Sequence, residues 1–187
     1  MNETRFWNLP NSITVGRIAV IPIVIWMLWD EPTLYEHFTA WFLFVGAMLT
    51  DILDGWLARR MNLVSPMGAY LDPMADKLMV TTVLVMLIPI GWVPAWIVVV
   101  LLCRELAITG LRGIASQQNL VLSASTLGKV KTSFQSTSIG FLLWHVETWG
   151  IDPHSAGIVL LYIATLFALI SGAEYLILFY KASNQKT

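Results

Sequence analysis

The sequence predicts an all-α integral membrane protein with six transmembrane helices, and three observations predict it. The 187-residue chain is 57% hydrophobic and only 12% charged, against roughly 25% charged residues in an ordinary soluble domain. Its mean hydropathy is +0.69. The apolar residues gather in six windows separated by polar turns, and every Lys and Arg falls on one side of the resulting helix order.

The windows run Ile18–Trp29, Phe38–Leu57, Lys77–Ile90, Val93–Cys103, Ile139–Trp149 and Gly157–Tyr180. A spanning helix needs about 20 residues. The first reaches that length when Asn11–Arg17 joins it, the third with Gly68–Asp76, the fourth with Arg104–Arg112 and the fifth with Gly128–Ser138. The fifth helix is expected to begin near Ser123–Thr126. Several helices therefore carry a polar inner end. No repeat or second domain is visible, so residues 1–187 read as one membrane-embedded domain with a short N-terminal segment, about 1–10, and a C-terminal tail, about 181–187.

Orientation follows from charge. Arg5, Arg17, Arg59, Arg60, Lys77, Arg104, Arg112, Lys129, Lys131, Lys181 and Lys186 all map to the side of the termini and the second and fourth loops. The opposite side holds Asp30, Glu31, Glu36, Glu147 and Asp152. The positive-inside rule puts both termini in the cytoplasm, with membrane lipids as the surroundings. Trp26, Trp29, Trp92, Trp96, Trp144 and Trp149 near the far ends read as an aromatic interface belt. His37, His145 and His154 read as solvated or interfacial, and Cys103 as a small buried hydrophobe. No nucleic-acid partner is expected of a chain with net charge −1.

Four aspartates then stand where lipid is expected. Asp51 and Asp54 lie at i and i+3, followed by Gly55, Ala58 and Arg59; Gly68 precedes Asp72 and Asp76 at i and i+4. Each pair occupies one helical face. A carboxylate in a membrane helix costs at least ~2.5–3.5 kcal/mol on insertion scales. Clustered carboxylates are usually compensated by divalent metal. Arg59-Arg60-Met-Asn-Leu-Val-Ser-Pro66 reads as a turn between antiparallel neighbours, so the two acidic faces can converge on two divalent cations about 3.5–4 Å apart, the clamp used in phosphoryl chemistry. Gly55 and Gly68 would admit a ligand close to the backbone. An ion path, or structural pairing with Arg59 and Lys77, are the competing readings of the residues alone. The acids lie near one end only, which argues against a path across the membrane.

The pattern Asp51-x2-Asp54-Gly55-x2-Ala58-Arg59-x8-Gly68-x3-Asp72-x3-Asp76 resembles the signature of the CDP-alcohol phosphatidyltransferase family at every defined position. The resemblance implies that family's six-helix membrane fold, usually a homodimer, and transfer of a phosphatidyl group from a CDP-linked lipid such as CDP-diacylglycerol to a small alcohol with release of CMP. It implies Asp51, Asp54, Asp72 and Asp76 as ligands of Mg²⁺ or Mn²⁺, and Asp76 as general base. Gly55, Ala58, Arg59 and Gly68 match positions around the cytidine diphosphate, and Asn11 and Thr14 are expected to join them.

The acceptor must be read elsewhere. Arg104, Thr109 and Arg112 continue the fourth helix, and Lys129, Lys131, Thr132 and Gln135 open the fifth. A phosphate-bearing acceptor needs such donors, because four carboxylates would otherwise repel its dianion. Anchoring on anionic headgroups is the plainer reading of the same cations. These segments, with Asn8–Arg17, resemble the glycerophosphate-accepting branch of the family, found in bacteria, which implies sn-glycerol 3-phosphate as acceptor and the bacterial inner membrane as location. A sister activity on inositol phosphate or serine, and a metal-dependent transporter, stay open. No Ser/His/Asp or Cys/His nucleophile is visible, so direct attack by the acceptor hydroxyl is expected.

Overall fold

A computed structural model of the chain describes residues 9–61, 66–118, 126–147, 150 and 152–184, with side chains for all of these except 9–11, 51–61 and 66–70. The described residues form six helices: α1 Leu9–Met27, α2 Leu34–Met61, α3 Pro66–Met86, α4 Ala95–Gln117, α5 Thr126–Trp144 and α6 Pro153–Asn184. No strand occurs among the described residues.

Local chemistry sets the helix ends. Thr33 and Glu36 form a reciprocal capping box at the start of α2: the Thr33 N–H donates to the Glu36 carboxylate at 2.8 Å, and the Glu36 N–H donates to the Thr33 hydroxyl at 3.4 Å. Pro66 and Pro153 occupy first-turn positions of α3 and α6, where a missing N–H costs nothing. Asp152 caps α6 by accepting the N–H groups of His154 and Ser155. The Ser155 hydroxyl beside it holds the Asp152 carboxyl below the ordinary carboxylate range. Beyond α3 the chain turns at Gly91, whose φ of +76° suits glycine. α5 stops at Trp144 rather than Trp149, because His145 takes a φ of 45°. α6 runs four residues past the expected Tyr180, to Asn184.

The chain divides into two compact units, residues 1–92 with 143–145, and residues 93–142 with 146–187. In the first, α1 packs against both α2 and α3, and α2 touches α3. Val24, Leu28, Ala40, Phe44, Met79 and Val83 are fully buried there. At the end where α2 begins, His37, Phe38, Trp92, Trp144 and His145 make one aromatic cluster. His145 stacks on Trp92 at 3.7 Å, and Trp144 meets Phe38 edge-on at 4.9 Å. His37 is buried, with its Nδ1 3.1 Å from the Leu143 carbonyl. The expectation of a solvated or interfacial His37 is thus corrected: the ring is packed core. Of the tryptophans expected in a belt, Trp26, Trp29 and Trp96 are exposed, Trp92 and Trp144 are half-buried in this cluster, and Trp149 lies outside the described residues.

In the second unit α4 packs along α6. The buried face of α6 is lined by small residues, Gly157, Ala164, Ala168, Ser171 and Gly172. Small residues let helices approach closely where lipid removes the hydrophobic drive for association. At Gly157 α6 meets α5 instead: an added Cβ would lie 2.8 Å from Leu142 Cγ, and the Ser138 hydroxyl donates to the Gly157 carbonyl at 2.7 Å in the same place. Cys103 is exposed, correcting its reading as buried.

Among the described residues, α6 is the one helix long and apolar enough to cross a membrane by length and composition, with Ser12–Met27 a shorter apolar helix. The other four helices each have Asp, Glu, Lys or Arg within their length.

Candidate active site

The aspartate signature belongs to the first unit. α2 carries Asp51 and Asp54 one turn apart near its C-terminal end, and α3 carries Asp72 and Asp76 one turn apart in its first half. The side chains of Asn11, Asp51, Asp54, Gly55, Ala58, Arg59 and Gly68 lie outside the described residues. Asp72 and Asp76 are partly buried and flank the fully buried Ala75. Pro73 between them interrupts nothing beyond one N–H of α3 and stays exposed.

Thr14, expected beside the nucleotide, is 1% exposed, and its hydroxyl donates to Asp72 Oδ1 across the α1–α3 contact. That bond fixes the orientation of the carboxylate and leaves Oδ2 for a ligand. Arg17, one turn further along α1, is 4% exposed. Sequence reasoning used it for orientation and in the Asn8–Arg17 resemblance but gave it no place in the site, although a charged residue next to an apolar helix is itself a signal.

The cationic residues belong to the second unit, and there the structure sorts them. Arg104 donates through Nε to the Ala168 carbonyl at 3.3 Å, through Nη1 to Glu105 at 2.8 Å and through Nη2 to the Ser171 hydroxyl at 2.8 Å. All three of its nitrogens are engaged, so it serves largely as a fastening of α4 to α6. Lys131 is 4% exposed and donates to the same Glu105 Oε1 at 2.6 Å. One carboxylate oxygen thus serves two cations. A buried ammonium is tolerable only when paired, and Glu105 supplies the pairing while leaving the cluster a net positive charge. Gln135, one turn after Lys131 on the same face of α5, is also buried.

Arg112 differs from both. It is exposed, makes no hydrogen bond or ion pair among the described residues, and holds its guanidinium carbon 5.6 Å from the centre of the Tyr175 ring. Thr132 is exposed, and its hydroxyl donates to the Gly128 carbonyl of its own helix at 3.1 Å. Lys129 and Thr109 are exposed as well. The structure therefore brings Arg104, Lys131 and Glu105 together, with Gln135 on the Lys131 face, and leaves Thr132 turned to its own backbone. Glu105, Ser171 and Tyr175 were not assigned from the sequence. Their signal was present: polar groups on otherwise apolar helices seldom occur without partners.

The CDP-alcohol phosphatidyltransferase family model matches residues 7–170. This chain belongs to that family. It is 40% identical over 180 residues to a CDP-diacylglycerol–glycerol-3-phosphate 3-phosphatidyltransferase of Bacillus subtilis, covering 90% of this chain and 93% of the relative. A protein of the same name from Escherichia coli is 33% identical over 175 residues, covering 91% and 93%. A probable phosphatidylglycerophosphate synthase of Mycobacterium tuberculosis is also 33% identical, over 92% and 82%. As a CDP-alcohol phosphatidyltransferase the chain carries all eight signature positions, from Asp51 to Asp76, at the expected spacing.

Proposed function

We propose that this chain transfers the phosphatidyl group of CDP-diacylglycerol to sn-glycerol 3-phosphate, giving phosphatidylglycerophosphate and CMP. The observation that carries the choice of acceptor is the Glu105-bracketed pair Lys131 and Arg104, with Arg112 uncommitted nearby on α4. An alcohol without a phosphate has no use for two cations gathered on one carboxylate. The names of the relatives point the same way.

In this reading the acceptor hydroxyl attacks the lipid-bearing phosphorus. A P–O bond forms to the acceptor, the P–O bond to CMP breaks, and Asp76 takes the hydroxyl proton. Lys131 and Arg112 bind the acceptor phosphate, and Gly55, Ala58, Arg59 and Gly68 accommodate the cytidine diphosphate. Asp51, Asp54, Asp72 and Asp76 would hold two divalent cations. Their hard carboxylate oxygens suit Mg²⁺ or Mn²⁺, and the Thr14 bond orients Asp72 as outer partners orient metal ligands. Such ions, when bound, supply neutralisation of the diphosphate and of the leaving CMP. The purified protein with CDP-diacylglycerol is expected to release CMP rapidly with sn-glycerol 3-phosphate and very slowly with glycerol, inositol or serine. Equal rates with glycerol would overturn the acceptor assignment and leave the family assignment standing.

The same reading takes the chain as one catalytic domain that crosses the bacterial inner membrane six times, as a homodimer, with both termini and the site in the cytoplasm. One-sided placement of Lys and Arg supports the orientation. In a Cys103→Ala background, Ser183→Cys is expected to react only with reagent on the cytoplasmic side and Glu147→Cys only from outside. The reverse labelling pattern would refute the topology.

A further inference from the structure

α4 and α6 run parallel, and their polar contacts fall in register. Trp96 meets Tyr162, Arg104 meets Ala168 and Ser171, and Arg112 meets Tyr175. Tyr175 is one turn beyond Ser171, on the buried face of α6, and is 3% exposed. Its hydroxyl is buried and makes no hydrogen bond among the described residues. Buried tyrosine hydroxyls ordinarily find a partner, since an unmade bond there is costly. Phenylalanine would fill the same space without that cost, so packing alone gives no reason for the oxygen.

The neighbour supplies the reason. The Arg112 guanidinium lies over the Tyr175 ring within the range of cation–π attraction, and its donors have no carboxylate among the described residues. An O–H donor and a guanidinium on the same ring, neither with an acceptor among the described residues, suit an anion that offers several oxygens. A phosphate group can accept from both at once.

We propose that Tyr175 is a further acceptor-binding residue: its hydroxyl donates to the acceptor phosphate that Arg112 also holds, and its ring positions the Arg112 guanidinium. The proposal rests on the acceptor reading given above and deepens it. The two functions of the side chain are separable. Tyr175→Phe keeps the ring under Arg112 and removes only the hydroxyl. Tyr175→Leu removes both.

The test uses the full chain in detergent. For Tyr175→Phe, KM for sn-glycerol 3-phosphate is expected to rise about tenfold, the loss of one hydrogen bond to a charged group. The inhibition constant of inorganic phosphate, competing with the acceptor, should rise in parallel. KM for CDP-diacylglycerol should stay within about twofold, and thermal stability should not fall. Tyr175→Leu should raise the acceptor KM further, because Arg112 loses its support. The thermal stabilisation of the wild type by inorganic phosphate, which needs no turnover, should shrink in Tyr175→Phe. Wild-type acceptor KM together with unchanged phosphate binding in Tyr175→Phe would overturn the proposal. So would a clear drop in its melting temperature, since that would mean the hydroxyl has a structural partner. If the wild type releases CMP with another alcohol and not with glycerol 3-phosphate, the acceptor reading fails separately. Phosphate stabilisation then still decides the fate of Tyr175.

Discussion

Asp51→Asn, Asp54→Asn, Asp72→Asn and Asp76→Asn are each expected to lower turnover by about three orders of magnitude or more, as much as or more than the loss of one transition-state donor in other enzymes. Each exchange keeps size and removes one negative charge. For Asp72 the structure makes the experiment clean: an amide oxygen at that position can still accept the Thr14 hydroxyl, so the α1–α3 contact survives. Whatever activity is lost then reports the charge. Asp76→Asn should retain more metal binding than Asp51→Asn if Asp76 serves chiefly as base. Thr14→Val, which frees the Asp72 carboxylate to rotate, should cost about 10- to 100-fold, the usual effect of losing an outer partner. CMP release under saturating substrates measures all five. Chelation should abolish the wild-type rate, and Mg²⁺ or Mn²⁺ should restore it. Near-normal turnover in any two of the four Asn variants would remove the two-cation reading.

Lys131→Ala is expected to raise KM for glycerol 3-phosphate more than Arg112→Ala does, with KM for CDP-diacylglycerol nearly unchanged in both. Arg112 makes no hydrogen bond or ion pair among the described residues and lies over the Tyr175 ring, so its removal deletes one phosphate contact. A hydrogen bond to a charged group contributes about 1.5–3 kcal/mol, which corresponds to roughly a tenfold to hundredfold rise in acceptor KM. Lys131 removal does more. It leaves Glu105 paired with Arg104 alone, so the cluster falls from net positive to neutral and the incoming dianion loses both a contact and the local attraction. The Lys131→Ala, Glu105→Ala double variant should therefore bind acceptor better than Lys131→Ala alone, a non-additivity that a double-mutant cycle reads directly. Arg104→Ala should behave differently again, lowering thermal stability, because two of its nitrogens fasten α4 to α6 and the third holds Glu105. If all three cations serve only as anchors on anionic lipid, both KM values will move together and weakly, and the double variant will show no recovery.

Helix number and order were legible because apolar windows and their polar breaks are local. The six windows correspond to α1 through α6, with ends displaced by a few residues. α4 runs on to Gln117 rather than Arg112, and α5 stops at Trp144 rather than Trp149; the α5 stop came from His145 in the left-handed region, a conformation that few residues adopt and that no apolar count detects. His37 was misread for a related reason. A histidine on an apolar helix looks interfacial until a carbonyl as distant in sequence as that of Leu143 is found beside it.

The sequence by itself determined the family, the spacing of the four aspartates and the segregation of cations onto a few segments, since each is a property of short stretches with a fixed helical period. It could not rank those cations. Arg104, Arg112 and Lys131 are alike as letters. They differ in what the fold sets against them: two α6 acceptors and Glu105 around Arg104, the same α4 carboxylate for Lys131, and an α6 aromatic ring with a buried hydroxyl under Arg112. The Thr14–Asp72 bond was equally invisible, because it joins residues 58 positions apart. Only tertiary packing decides such pairings: a hydrogen bond exists where donor and acceptor meet within about 3 Å, and no local pattern encodes that meeting.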